Sequence, residues 1–155
     1  MKYSGVNKLE FFLKFLKENS HNMNPCSPKD IAQLKQLANN RPLPKTYLLF
    51  MESAGHGIRF FRGSSYNVNE ISLLQEGAVE LLQEDRSAET LTNNDFVFFM
   101  HQGYQFYFFK LDEGENPPVY FYEEGKNLKK FLKKHHSLTE FFIENYNGVE
   151  HLIKD

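Results

Sequence analysis

Hydrophobic positions keep helical spacing up to Gly57, and after it short apolar runs alternate with helical stripes. Between Leu43 and Gly57, residues Leu43, Tyr47, Phe50, Met51 and Ala54 fall at i, i+4, i+7, i+8 and i+11. That spacing makes one apolar stripe on a helix opened by Pro44 and closed by glycine. Upstream, Leu9, Phe12, Leu13 and Leu16 predict a helix over Asn7 to Glu18, with Phe11 and Phe15 widening its apolar face. Ser27, Pro28 and Asp30 supply an N-cap, an N1 proline and an acid at N3. The helix they start carries Ile31, Leu34, Leu37 and Ala38 and ends at Asn39-Asn40.

Beyond Gly57, Ile58–Phe61 and Tyr66–Val68 read as short strands around a Gly63-Ser64-Ser65 turn. Glu70 to Asp85 reads as a helix that Gly77 weakens. DFVFFMHQGYQFYFFKL, from Asp95, reads as a hairpin around Gly103 whose strands are covered on both faces. Pro117 and Pro118 lead into a strand VYFY, placed at a sheet edge or starting after the ladder does. Lys126 to His136 reads as a basic amphipathic segment with Leu128 and Phe131 on its helix face. Ser137-Leu138-Thr139-Glu140 is a capping box for a last helix with Leu138, Phe141, Phe142 and Tyr146 on its stripe. The fold class that follows is α+β: a single domain over residues 1–155, with a small antiparallel sheet covered by N- and C-terminal helices.

Composition narrows the function classes. At 155 residues, 41% hydrophobic and 25% charged, the chain is long enough for one core without staples. Its apolar runs of four or five residues are too short for a bilayer, and the N-terminus lacks a signal-peptide pattern. One cysteine, Cys26, fits a reducing cytoplasm. A net charge of −2 gives no general attraction to nucleic acid or anionic lipid. The glycines never form a nucleotide loop. His135-His136 point about 100° apart on a helix and have no third ligand at metal spacing. His56, between two glycines, reads as a turn histidine, and His101 as a sheet-edge residue or partner contact. No catalytic residue, cofactor or metal is expected.

Charge distribution points elsewhere. Glu70 to Asp95 holds seven acids (Glu70, Glu76, Glu80, Glu84, Asp85, Glu89, Asp95) and one base, Arg86. Asp112, Glu113 and Glu115 add a second acidic turn, and Glu123-Glu124 a third. Five lysines between 126 and 134 read as a solvated face.

Leu43, Pro44, Tyr47, Phe50, Met51 and Gly57 together resemble the hallmark of the SMI1/KNR4 family, the SUKH superfamily. Phe98, Gly103, Tyr107 and Phe108 resemble its paired strands. Pro118-Val119-Tyr120 resembles the next strand, and Ser137 to Phe142 its terminal helix. The similarity covers roughly residues 27–146. Gly55-His56 departs from the family's Asn-Gly pair, and the chain has no tryptophan. The resemblance implies a non-catalytic protein-binding domain without cofactor. Bacterial members are mostly immunity proteins that neutralise a polymorphic toxin, often a nuclease; fungal members resemble scaffold or regulatory adaptors. A nuclease surface is basic, so an acidic, tyrosine-bearing face suits such a partner. The expected partner-binding residues are Glu76, Glu80, Glu84, Asp85, Glu89, Asp112, Glu113, Glu115, Tyr104 and Tyr120, with Tyr122 as a further anchor candidate.

Overall fold

The computed structural model describes residues 5–19, 21–126 and 130–149. The helices are α1 (Gly5–Glu18), α2 (Pro28–Leu37), α3 (Lys45–Ala54), α4 (Ile71–Glu84) and α5 (Leu138–Val149). The strands are β1 (Ser64–Ser65), β2 (Asp95–His101), β3 (Gln105–Lys110), β4 (Val119–Glu123) and β5 (Leu132–His135). They form one antiparallel meander in the order β1-β2-β3-β4-β5. The architecture is the expected α+β sheet-and-helix domain.

Helix ends follow local chemistry. Ser27 Oγ accepts from the Asp30 N–H at 3.2 Å, and the Asp30 carboxylate accepts from the Ser27 N–H at 2.8 Å, which satisfies two donors the helix cannot. Asn39 and Asn40, at φ 55° and 58°, turn the chain out of α2 in the left-handed region that asparagine tolerates. Pro44 sits at the N-cap of α3, one place earlier than N1. In α5 the Ser137 hydroxyl accepts from the Glu140 N–H at 3.1 Å. Glu140 accepts from the His136 N–H at 2.7 Å instead of from Ser137, so the capping box is shifted by one residue.

Three sequence expectations are corrected. Arg59–Phe61 is a 3₁₀ turn, and Ser64–Ser65, expected as a turn, is the strand. Phe60 and Phe61 are both buried, whereas a strand would send neighbours to opposite faces. Tyr66 and Val68 bond to the end of α3, Tyr66 Oη to Ala54 O at 2.8 Å and Val68 N to Gly55 O at 2.9 Å. The basic segment is no helix at residues 132–135: it is β5, paired with β4. Its positions Leu128 and Lys129 lie outside the described residues. That pairing makes β4 an interior strand, and it starts only after Pro117-Pro118, where a missing N–H costs nothing. Exposed Lys133 and Lys134 sit on the outer edge, a charge pattern that discourages further strand addition.

The sheet is buried on both faces. A bulge at Phe98 places Phe98 and Phe99 on the same side, where both rings meet Phe141 of α5. Phe96, Tyr107 and Phe109 complete this side beneath Tyr47 of α3 and Phe141. Phe50 of α3 stacks on Phe142 of α5 with centroids 3.9 Å apart. α1 covers α3 and α5, and the Thr139 hydroxyl donates to the Gly5 carbonyl at 2.8 Å. α4 packs along β2 with Leu74, Ala78, Leu81 and Leu82 inward, and Phe131 covers Phe106, Phe108 and Tyr122 on the face away from Phe141. β1 is too short to reach Val97. The Gln75 side chain pairs both Val97 backbone groups, donating to its carbonyl at 2.6 Å and accepting from its N–H at 3.0 Å.

Candidate functional site

The acidic stretch resolves into residues with different employment. Glu76, Glu80 and Glu84 are exposed on the side of α4 turned away from the sheet, where successive i+4 steps align them. Leu73 shares that stripe and is 63% exposed. On the flank of α4, Val79 is half-open at 43% and faces the 86–94 loop. Two adjoining hollows of about 270 and 150 Å³ share Val79 and Leu91 as walls. The first extends to Leu37 and Leu111, and the second is lined by Glu89. The result is an apolar seam with Asp95 and Glu89 in its walls, on the flank of the helix whose outer stripe carries Glu76, Glu80 and Glu84.

Asp112 joins this surface. It accepts from Asn94 Nδ2 at 2.8 Å, while Asn94 Oδ1 accepts from Arg41 Nη2 at 2.8 Å, so the loop holding the seam is braced from two directions. The other expected residues lie apart. Asp85 is a structural acceptor, taking the Tyr122 hydroxyl and the Gly125 N–H. Tyr122 is buried, so it is a core ring and no exposed anchor; burial first, then the Asp85 hydrogen bond, pushes its phenol up. Glu113 accepts the Tyr120 hydroxyl at 2.9 Å, and Tyr120 stacks on Phe108 beneath the Lys110 ammonium. Glu115 exposes its side chain and gives its carbonyl to Thr46. Tyr104 caps the β2–β3 turn beside His101, at the far end of β3 from Glu113. Of the ten expected residues, Glu76, Glu80 and Glu84 share the outer stripe of α4, Glu89 lines the hollow on its flank, and Asp112 braces the loop that walls that hollow.

The family comparison matches residues 28–142 to the family described as SMI1-KNR4 cell-wall. The chain belongs to this SMI1/KNR4 family, within the SUKH superfamily. No curated protein matches it. The matched SMI1/KNR4 region runs from the first residue of α2 to Phe142 of α5 and contains the whole sheet and the acidic seam. Among the described residues, no helix is long and apolar enough to cross a membrane.

A second convergence in this SMI1/KNR4 chain was invisible in the sequence. His56 Nε2 lies 2.6 Å from Asp30 Oδ2, and Cys26 stands beside them, the three donor atoms lying within 4.8 Å of one another. Backbone and side-chain hydrogen bonds from Ser27 and the His56 contact hold the Asp30 carboxyl down at about 2. Burial, with the charges of Asp30 and Glu52 adding, pushes the Cys26 thiol up to about 12. A thiol held protonated is not an activated nucleophile. The signal that could have found the group is the capping-box Asp30 itself, whose second partner lies 26 residues away. A hollow of about 610 Å³ between α1 and α3 is lined by Leu13, His21, Met23 and Leu49 under the mixed charges of Lys14, Lys17 and Glu52.

Proposed function

We propose that this SMI1/KNR4 chain is a non-catalytic binding domain that recognises one basic protein partner through the seam between α4 and the 86–94 loop. The partner we assign is a cognate toxin domain, which the chain neutralises by direct binding in the cytoplasm. The observation that carries the reading is the exposed outer stripe of Glu76, Glu80 and Glu84 with Leu73 on α4, next to a flank where Val79, Leu91 and Glu89 line one hollow. Apolar residues at the centre of such a face supply desolvation, and carboxylates at its rim speed encounter with a basic surface. A nuclease toxin has such a surface, because it must hold phosphates.

Titration calorimetry tests this, with the C-terminal domain of a large secreted protein encoded beside this one as ligand. Tight one-to-one binding that abolishes toxicity, weakened more than about tenfold by E76K/E80K/E84K, is the expected result. Affinity unchanged in that triple variant sinks the assignment of the face. A second reading, an intracellular scaffold or regulatory adaptor, draws on the cell-wall wording of the family description. It expects several weaker partners and a phenotype without any toxin.

A further inference from the structure

We propose that Cys26, Asp30 and His56 form a binding site for a thiophilic divalent cation, with zinc(II) as the ion whose ligand preferences fit. Sulfur, imidazole nitrogen and carboxylate oxygen are the three donor types zinc takes from proteins, and three protein donors leave one position for water. Bond lengths of about 2.0–2.3 Å put the ligand atoms of a tetrahedral site roughly 3.3–3.8 Å apart. The three donors here already lie within 4.8 Å of one another, so closing on an ion asks for shifts of about 1 Å.

The three come from separate segments, each fixed without reference to an ion. Asp30 stands in the first turn of α2, held by the Ser27 N–H at 2.8 Å and the Ser27 hydroxyl at 2.9 Å. Both bonds fall on Oδ2, the oxygen that also meets His56 Nε2. His56 follows α3 and is tied by its N–H to Asn24 O at 2.8 Å and by its carbonyl to Asn67 Nδ2 at 2.8 Å. Cys26 donates its N–H to Met51 O at 3.1 Å. Its sulfur rests against Gly55, where an added Cβ would stand 2.1 Å from Sγ. Donors placed this way lose little freedom on binding an ion. The side chains of His56 and Asp30 keep 32% and 16% of their exposure, which gives the ion a path.

Charge points the same way. Asp30 and Glu52 both act on Cys26, so the sulfur lies in a negative field that favours a cation. Binding would release the thiol proton to solvent and replace the Asp30–His56 contact by two metal bonds. The ion would join the loop before α2, the first turn of α2 and the end of α3, a junction now held by the Asn24–Gly57 bridge.

The test uses the full chain, reduced and stripped with a chelator, and titrated with cobalt(II) as a spectroscopic stand-in for zinc. A thiolate-to-cobalt charge-transfer band that saturates at one equivalent and is erased by zinc is the expected result. C26S, which exchanges one atom, should abolish the band and weaken zinc binding more than about tenfold; H56Q should weaken it similarly. Far-UV circular dichroism of both variants in chelator reports whether the fold is kept. Absence of the band at excess cobalt in the parent chain overturns the proposal. Zinc affinity unchanged in folded C26S overturns it too, because the ion then sits elsewhere.

Discussion

The layer of α1, α3 and α5 and the layer of α4 cover the same sheet by different means. The first meets it through rings: Tyr47, Phe141 and Phe142 against Phe96, Phe98, Phe99, Tyr107 and Phe109, with Phe50 stacked on Phe142 behind them. The second is one helix, with aliphatic side chains inward, one glutamine bonded to a strand edge, and glutamates outward. Apolar area and ring packing concentrate stability in the first layer. The second has an outer face free of structural duty, which is where a recognition surface can change without unfolding the domain.

Substitutions should separate the layers, and the largest effect belongs to the rings. F98A removes a buried ring that touches Tyr47, Phe109, Phe141 and Phe142, and should cost about 3–5 kcal/mol in a urea unfolding curve. Q75A should cost about 1–3 kcal/mol, because the buried Val97 N–H and C=O lose their partner. Amide exchange at Val97 should quicken in the same variant.

Acidification should weaken the ring layer next. Burial, with Arg59 adding, lowers the pKa of His21, which packs against Tyr146. Burial against Phe141 lowers His135, with Glu140 opposing. Both imidazoles favour the neutral form when folded, so the unfolded chain binds more protons below about pH 6.5. Stability is then full above that value and falls as pH drops beneath it. Asp30, held at about 2, adds a further loss between about pH 4 and 2. Denaturant midpoints measured across this range would show both steps, and a flat profile from pH 7 to 5 would contradict the histidine assignment.

Two smaller effects concern α4. G77A places a Cβ 3.5 Å from the Met100 methyl, an ordinary contact, so improved helix propensity should raise stability by about 0.5–1 kcal/mol. E76K, E80K and E84K should each change stability by less than about 0.5 kcal/mol. Their effect should appear in partner affinity alone, so a large unfolding shift in any of them would erase the distinction between the layers.

Much of this division was legible in the residues. The stripe Leu43, Tyr47, Phe50, Met51 and Ala54 is buried throughout, and Gly103 does divide a hairpin, because apolar period and turn chemistry are local signals. What failed was non-local. Ser64–Ser65 is strand only because β2 offers Met100 and His101 as partners. The lysine-rich run is strand because β4 has an unpaired edge, which no propensity records. For the candidate site, the sequence identified the acids but not their employment: Asp85 and Glu113 lie outside the seam, occupied by Tyr122 and Tyr120 of β4. The apolar partners Leu37, Val79 and Leu91 stand on three separate segments that only the fold brings side by side.

The bond from Thr139 to Gly5 joins residues 134 positions apart. During synthesis, α1 can dock on α3 early, but the part of its surface that α5 covers stays open until α5 follows. Non-local closure of this kind slows folding and leaves apolar surface open meanwhile. A nascent chain halted before Leu138 would expose Leu13, Phe50 and Phe98 together, and its fate would rest with chaperones and proteases rather than with its own core.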